Sequence, residues 1–232
     1  MNDVVIVSRI DRMMSKDGGK VSALTINWEL RAAGTTYDIA GAVQMDKVQT
    51  SDVAGVVSSH EGFGSGAFAS RGLDADSPCA VIPFFNRTEE LLSASNTWKG
   101  QPAAAIRKHT TTVTFSQPVD IASVLDSEMN FFIAPKQRTS EIHMPGYAPT
   151  ASGIIGKGSF LPSDPYKFFV TEGDQTKNNY MMWALMIPGE FRYPAETNDI
   201  RGVYEYFMAW ASSNGAEHAE WYLESADAGR IY

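Results

Sequence analysis

The sequence predicts a mainly β protein: an antiparallel β-sandwich or jelly-roll-like domain with one C-terminal amphipathic helix docked on it. Three observations carry this reading. Leu24, Ile26, Trp28 and Leu30 alternate with Thr25, Asn27, Glu29 and Arg31, the period of a half-buried strand. Short β-branched or aromatic stretches recur between turn clusters, without the strand–helix alternation that a doubly wound parallel sheet requires. Ile200, Val203, Tyr204, Phe207, Trp210 and Ala211 fall on one face at helical spacing. The chain has 232 residues, of which 44% are apolar, enough for a sizeable core. No Pro/Gly/Ser-rich linker divides it, so residues 1–232 read as a single domain.

The elements follow in order. Residues 4–10 form a short apolar stretch, and Ser15-Lys16-Asp17-Gly18-Gly19 is a turn cluster. With the alternating run after it, this makes a long antiparallel hairpin. Residues 37–45 and 53–57 supply two more strands, and 62–72 is a glycine-rich loop. Strands are expected at 79–85, 110–115, 131–134 and 141–144, from their Val, Ile, Thr and Phe content. A short helical turn fits 89–95, and 95–108 reads as a long loop. Proline and glycine make 145–165 irregular. The apolar run 181–187 has strand length and stops at Pro188-Gly189. The helix spans about 200–214, with Thr197 or Asn198 as its cap and Gly215 as its terminator.

Composition excludes several roles. Lys and Arg total 19 against 27 Asp and Glu, a net charge of −8. Such a surface matches a nucleic-acid backbone poorly, so no nucleic-acid partner is expected. The excess is uneven: residues 1–116 carry 11 basic and 12 acidic groups, and 117–232 carry 8 and 15. No apolar run reaches the roughly 18 to 20 residues of a membrane span. The single cysteine, Cys79, cannot form an internal disulfide and reads as an inert thiol opening a buried strand. The N-terminal apolar run is too short for a signal peptide, so the chain is expected to lack one.

Motifs for common chemistries are missing. There is no Gly-x-Ser-x-Gly elbow and no His pair at helical zinc spacing. Gly62-Phe63-Gly64-Ser65-Gly66 resembles a dinucleotide loop only in its glycines. Asp74-Ala75-Asp76 holds two carboxylates, without the rest of a calcium loop. No cofactor and no metal are therefore expected. One constellation stands out. In Glu141-Ile142-His143, strand geometry sends the carboxylate and imidazole to one face. The carboxylate should raise the His143 pKa, and the pair could bind a metal or move a proton. The favoured reading is a hydrogen-bonded pair that fixes the turn at Pro145-Gly146-Tyr147 and locks the loop 145–165. Glu196, after Tyr193-Pro194, is the expected distant partner, with Tyr147 and Trp221 nearby. Together Glu141, His143, Tyr147, Glu196 and Trp221 are the candidate ligand-binding residues, with no catalytic residue assigned. Exposed aromatics stack on sugars or anchor protein partners, and they also close the ends of sandwiches.

Several segments resemble a known family. Glu141-Ile142-His143-Met144-Pro145-Gly146-Tyr147-Ala148-Pro149-Thr150 is similar to the E-x-H-L-P-G-Y-x-P-T signature of LruC-type domains. The stretch from Met182-Trp183-Ala184 through Pro188 to Tyr193-Pro194-Ala195-Glu196 resembles their P-W-A segment ending in Y-P-x-E. Residues 200–222, closing in Trp221-Tyr222, resemble their final helix, and 112–119 their T-V-T strand. The resemblance is specific over 110–232 and diffuse before it. Met182 stands where that family has proline, and Met144 where it has leucine. The resemblance implies an exported bacterial protein, lipoprotein or surface module with no assigned mechanism, located outside the cytoplasm. The expected function is a non-enzymatic envelope module that binds a protein or glycan or acts structurally. The alternative is a hydrolase of surface polysaccharide or peptide that uses Glu141, His143 and Glu196. The oligomeric state is left open.

Overall fold

In a strand with one wet face, every second side chain must find a core, and the alternating run around Trp28 does so. The computed structural model describes residues 4–34, 37–92, 97, 105–154, 169–171, 179–182, 184–224 and 226–231. Its strands are β1 (Val4–Met14), β2 (Lys20–Ala33), β3 (Ile39–Gln49), β4 (Val53–Ser58), β5 (Cys79–Phe85), β6 (Lys108–Asp120), β7 (Met129–Pro135), β8 (Ile142–His143), β9 (Phe169–Thr171) and β10 (Asn179–Met181). Two short helices follow, α1 (Ile200–Val203) and α2 (Phe207–Ser212). Four strands form a sheet in the order β1-β2-β6-β4, and four a second sheet in the order β5-β3-β7-β8. All pairings are antiparallel. β9 and β10 make a separate two-stranded ribbon.

The two larger sheets share one core. Leu24, Ile26, Trp28 and Leu30 of β2 and Val113 and Phe115 of β6 meet Val43 and Met45 of β3, Ile82 and Phe84 of β5, and Met129 of β7. Trp28 lies 5.2 Å from the Phe84 ring and 5.9 Å from Phe85, centroid to centroid. Its indole N–H donates to Thr111 Oγ1 at 3.0 Å, so its polar edge is satisfied inside. The β1–β2 hairpin turns through Gly18 and Gly19, both at positive φ, where a side chain would be strained. Gly41 of β3 admits the Phe85 ring, whose Cζ would lie 2.6 Å from a Cβ at that position.

The outer face of the second sheet is covered as well. Ala40, Ala42, Val81, Phe132 and Ala134 leave shallow ground that Phe68, Phe63 and Ala67 of the glycine-rich segment occupy. Asn86 holds this cover by donating to the Gly64 and Phe68 carbonyls, each at 2.8 Å, and accepting from the Phe68 N–H at 2.9 Å. The glycines that mimic a dinucleotide loop therefore serve a covering segment.

Several expectations about the C-terminal part change. The helix expected over 200–214 is broken into α1 and α2, because Tyr204 adopts extended backbone (φ −114°, ψ 116°) and bridges to Ala226. Its cap is Asp199, which accepts from the Arg201 N–H, and not Thr197 or Asn198. The aromatic face packs with its own C-terminal segment: Met182, Val203, Tyr204, Phe207, Ala211, Trp221 and Ile231 form a second core with no member from either four-stranded sheet. The apolar run 181–187 is also not a strand beyond Met181, where β10 ends; Trp183 lies outside the described residues. Leu185 and Ile187 instead pack against the second core. Cys79 begins β5 as expected, its thiol raised by burial and then by the Asp46 carboxylate. The expected turn over 89–95 is a short 3-10 helix, Thr88–Glu90, and 93–95 lie outside the described residues. Much of the loops 95–108 and 145–165 does too; the described part of the second, 145–154, is irregular. No described helix is long and apolar enough to cross a membrane.

Candidate functional site

β7 and β8 pair so that Phe132 faces His143. The rings stack at 4.6 Å between centroids with a 13° tilt. The pairing and alternation place Asn130, Phe132, His143 and Glu141 on the outer face of the second sheet. Glu141 is 1% exposed and His143 0%. His143 Nε2 lies 2.9 Å from Glu141 Oε2, and its Nδ1 lies 2.6 Å from Asn130 Oδ1. The Asn130 amide donates to Ala148 O at 2.9 Å and to Asp46 Oδ1 at 3.3 Å.

The Glu141 carboxylate gathers donors from three sides. Arg138 pairs with Oε1, while Thr150 gives its N–H to Oε2 at 2.8 Å and its hydroxyl to Oε1 at 2.5 Å. Arg138 also donates to Thr150 Oγ1 at 2.9 Å and to Asp74 at 3.1 Å. Its guanidinium lies 4.9 Å from the Phe68 ring centre and 5.5 Å from that of Phe132. Gly153 leaves room for the Glu141 carboxylate and for Pro149; a Cβ there would collide with both. Ala148, Thr150 and Gly153 all lie on the segment after β8, so the network clamps that segment onto the sheet. Asp74, half of the calcium-like pair, is used here as the partner of Arg138.

The structure brings together only part of the expected cluster. Glu141 and His143 meet, and Tyr147 is near them in sequence, with its hydroxyl donating to Ser127 O at 3.1 Å. Glu196 turns elsewhere: its carboxylate accepts from Thr97 Oγ1 at 3.2 Å, and its N–H donates to Thr97 O at 2.9 Å. Trp221 sits in the second core, 5.0 Å from the Tyr204 ring and 4.8 Å from that of Phe207. Sequence reasoning missed Arg138, Asn130 and Thr150. Thr150 closes the segment 141–150, but its distance of nine residues from Glu141 gives no periodicity to read. Among the described residues no group of three His, Cys, Asp or Glu side chains could hold a metal ion.

The expected rise in the His143 pKa is reversed. Burial pushes the ring down to about 3, with Asp46 opposing the shift and Arg138 adding to it. A neutral ring carries one N–H, so only one of its two oxygen neighbours receives a ring hydrogen. The folded-state value lies below the ordinary 6.5 of the unfolded chain. Between pH 6.5 and 3 the unfolded chain therefore binds a proton that the folded chain refuses. This contribution to stability is complete above 6.5 and is lost as pH falls towards 3, at up to about 1.4 kcal/mol per pH unit. Urea titrations from pH 7 to 5 should show this slope in the wild type and a flatter one in His143→Asn. Equal slopes would show that the fold does not lower the pKa of the ring.

No curated protein matches the chain. Among solved structures, the chain is similar to a "putative lipoprotein" from Bacteroides ovatus, with a TM-score of 0.67 and 16% identity. The match covers 100% of this chain and 69% of the other. At that identity the likeness is one of fold. The model of a family described as a domain of unknown function, DUF4842, matches residues 19–222, and the chain belongs to that family.

Proposed function

We propose that this chain is a surface-associated module of a bacterial envelope protein that presents a folded surface to a protein or glycan and does no catalysis. The observation that carries this reading is the sealing of Glu141 and His143. Among the described residues they are the closest His–carboxylate pair, and both are buried and engaged by protein partners. A base that water and substrate cannot reach, with a conjugate acid near pH 3, is unsuited to general acid–base work at neutral pH. Their role in this reading is to hold residues 144–154 in place. The lipoprotein neighbour and the LruC-type resemblance of residues 110–232 both support a site outside the cytoplasm.

The test has two arms. Protease applied to intact cells of the source bacterium should digest the protein. Purified chain on glycan and peptide arrays should give the same binding pattern for wild type and folded His143→Asn. Full protection until lysis would overturn the location. Hydrolysis of an array ligand that disappears in His143→Asn would overturn the non-enzymatic role.

A further inference from the structure

The sandwich has four sheet edges, and three of them are poor templates for another strand. β8 has two residues. β5 carries Pro83 and is buried along most of its length. β4 has six residues, and its pairing slips between Val53 and Gly55. Natural proteins blunt edges by such shortness, proline and bulges. β1 differs. It is 11 residues long, contains neither proline nor glycine and, among the described residues, pairs with β2 on one side only. Between Ile6 and Met13 its register runs without a bulge. On its outward face Val7, Arg9, Asp11 and Met13 are 45%, 80%, 48% and 63% exposed (side chains only, for the charged pair).

The order of these four side chains selects a partner. We propose that β1 is a homodimerisation edge, pairing antiparallel with β1 of a second copy across a two-fold axis at Ile10. In a two-fold pairing of identical strands, residue i meets residue j of the copy with i + j constant. Backbone groups alternate in direction along a strand, so both members of a facing pair must have the same parity. An axis at Ile10 sets Arg9 opposite Asp11 twice and Val7 opposite Met13 twice. On the core-facing side it sets Ile10 against Ile10. Moving the axis one residue either way sets Arg9 against Arg9 or Asp11 against Asp11, which repel. Charge therefore specifies one register. The product is a continuous eight-stranded sheet with an isologous interface.

The test needs no ligand: analytical ultracentrifugation of the purified chain over a concentration range up to about 1 mM, the weak end of specific association. The expected result is a reversible monomer–dimer equilibrium. Arg9→Asp alone and Asp11→Arg alone should each weaken it by about tenfold or more, because both facing pairs become like-charged. An equal mixture of the two variants should form a heterodimer, since each supplies the charge the other needs. Recovery in the mixture also shows that both variants are folded, and circular dichroism checks this independently. A monomer at every concentration would overturn the proposal. So would a dimer indifferent to both substitutions, or a mixture that fails to recover.

Discussion

Glu141→Ala is expected to lower the unfolding free energy by about 3 to 5 kcal/mol, the range for breaking a buried ion pair by removing one partner. The substitution leaves the Arg138 guanidinium, the Thr150 N–H and hydroxyl, and the His143 ring without their common acceptor. Each loses one protein partner where little water can replace it, although Arg138 keeps Asp74 and His143 keeps Asn130. Urea denaturation should show a lower midpoint with an unchanged slope. Hydrogen exchange should rise first at Thr150 and Gly153, whose N–H groups are held by this corner. Glu141→Gln keeps the shape and one acceptor oxygen and should fall between wild type and alanine. A loss under 1 kcal/mol for alanine would mean that the segment 144–154 is held by other contacts.

Trp221→Ala is expected to cost about 3 to 5 kcal/mol, as for other large aromatic truncations in a core. Its effect should be confined. Trp221 touches the rings of Phe191, Tyr204, Phe207 and Trp210, all within the second core. Amide exchange should therefore accelerate across α1, α2 and the bridge between Pro194 and Ile231. It should stay slow in β2, β3 and β6, which belong to the sandwich core. Equal acceleration in both regions would show that the two cores melt as one cooperative unit.

These two sites also show what the sequence made legible. The sandwich was readable because β2 has a dry face and a wet face, and alternation reports that directly. The strand at 79–85 was readable as a continuous apolar run bounded by turn signals, but the same cue fails at 181–187, where Leu185 and Ile187 pack against the second core instead of pairing. The C-terminal helix was not, because the same apolar spacing serves one helix or two. Only the pairing of Tyr204 with Ala226 decides between them, and that contact is distant in sequence. At the candidate site, the neighbours Glu141 and His143 were found because two residues on a strand share a face. Arg138 reaches Glu141 from the turn before β8 and Thr150 from the segment after it. Neither position follows a strand or helix period. The pKa of His143 is set first by burial, whereas a sequence shows the adjacent carboxylate and hides the depth.

The pairing order of the first sheet has a consequence for how the chain reaches this state. The β1–β2 hairpin closes through a five-residue turn cluster, so it can form as soon as it leaves the ribosome. Its other neighbour, β6, is far away: Trp28 meets Thr111 across 83 residues. Likewise Asp46 of β3 meets Asn130 of β7 across 84. Loop closure over such spans must precede most of the contacts that reward it, which places folding in the slow, milliseconds-to-seconds class. Until β7 has been synthesised, Leu24, Ile26, Trp28 and Leu30 lack part of their opposing wall. A nascent chain of this topology stays open until β7 has emerged, an interval in which a translocation or chaperone system can engage it.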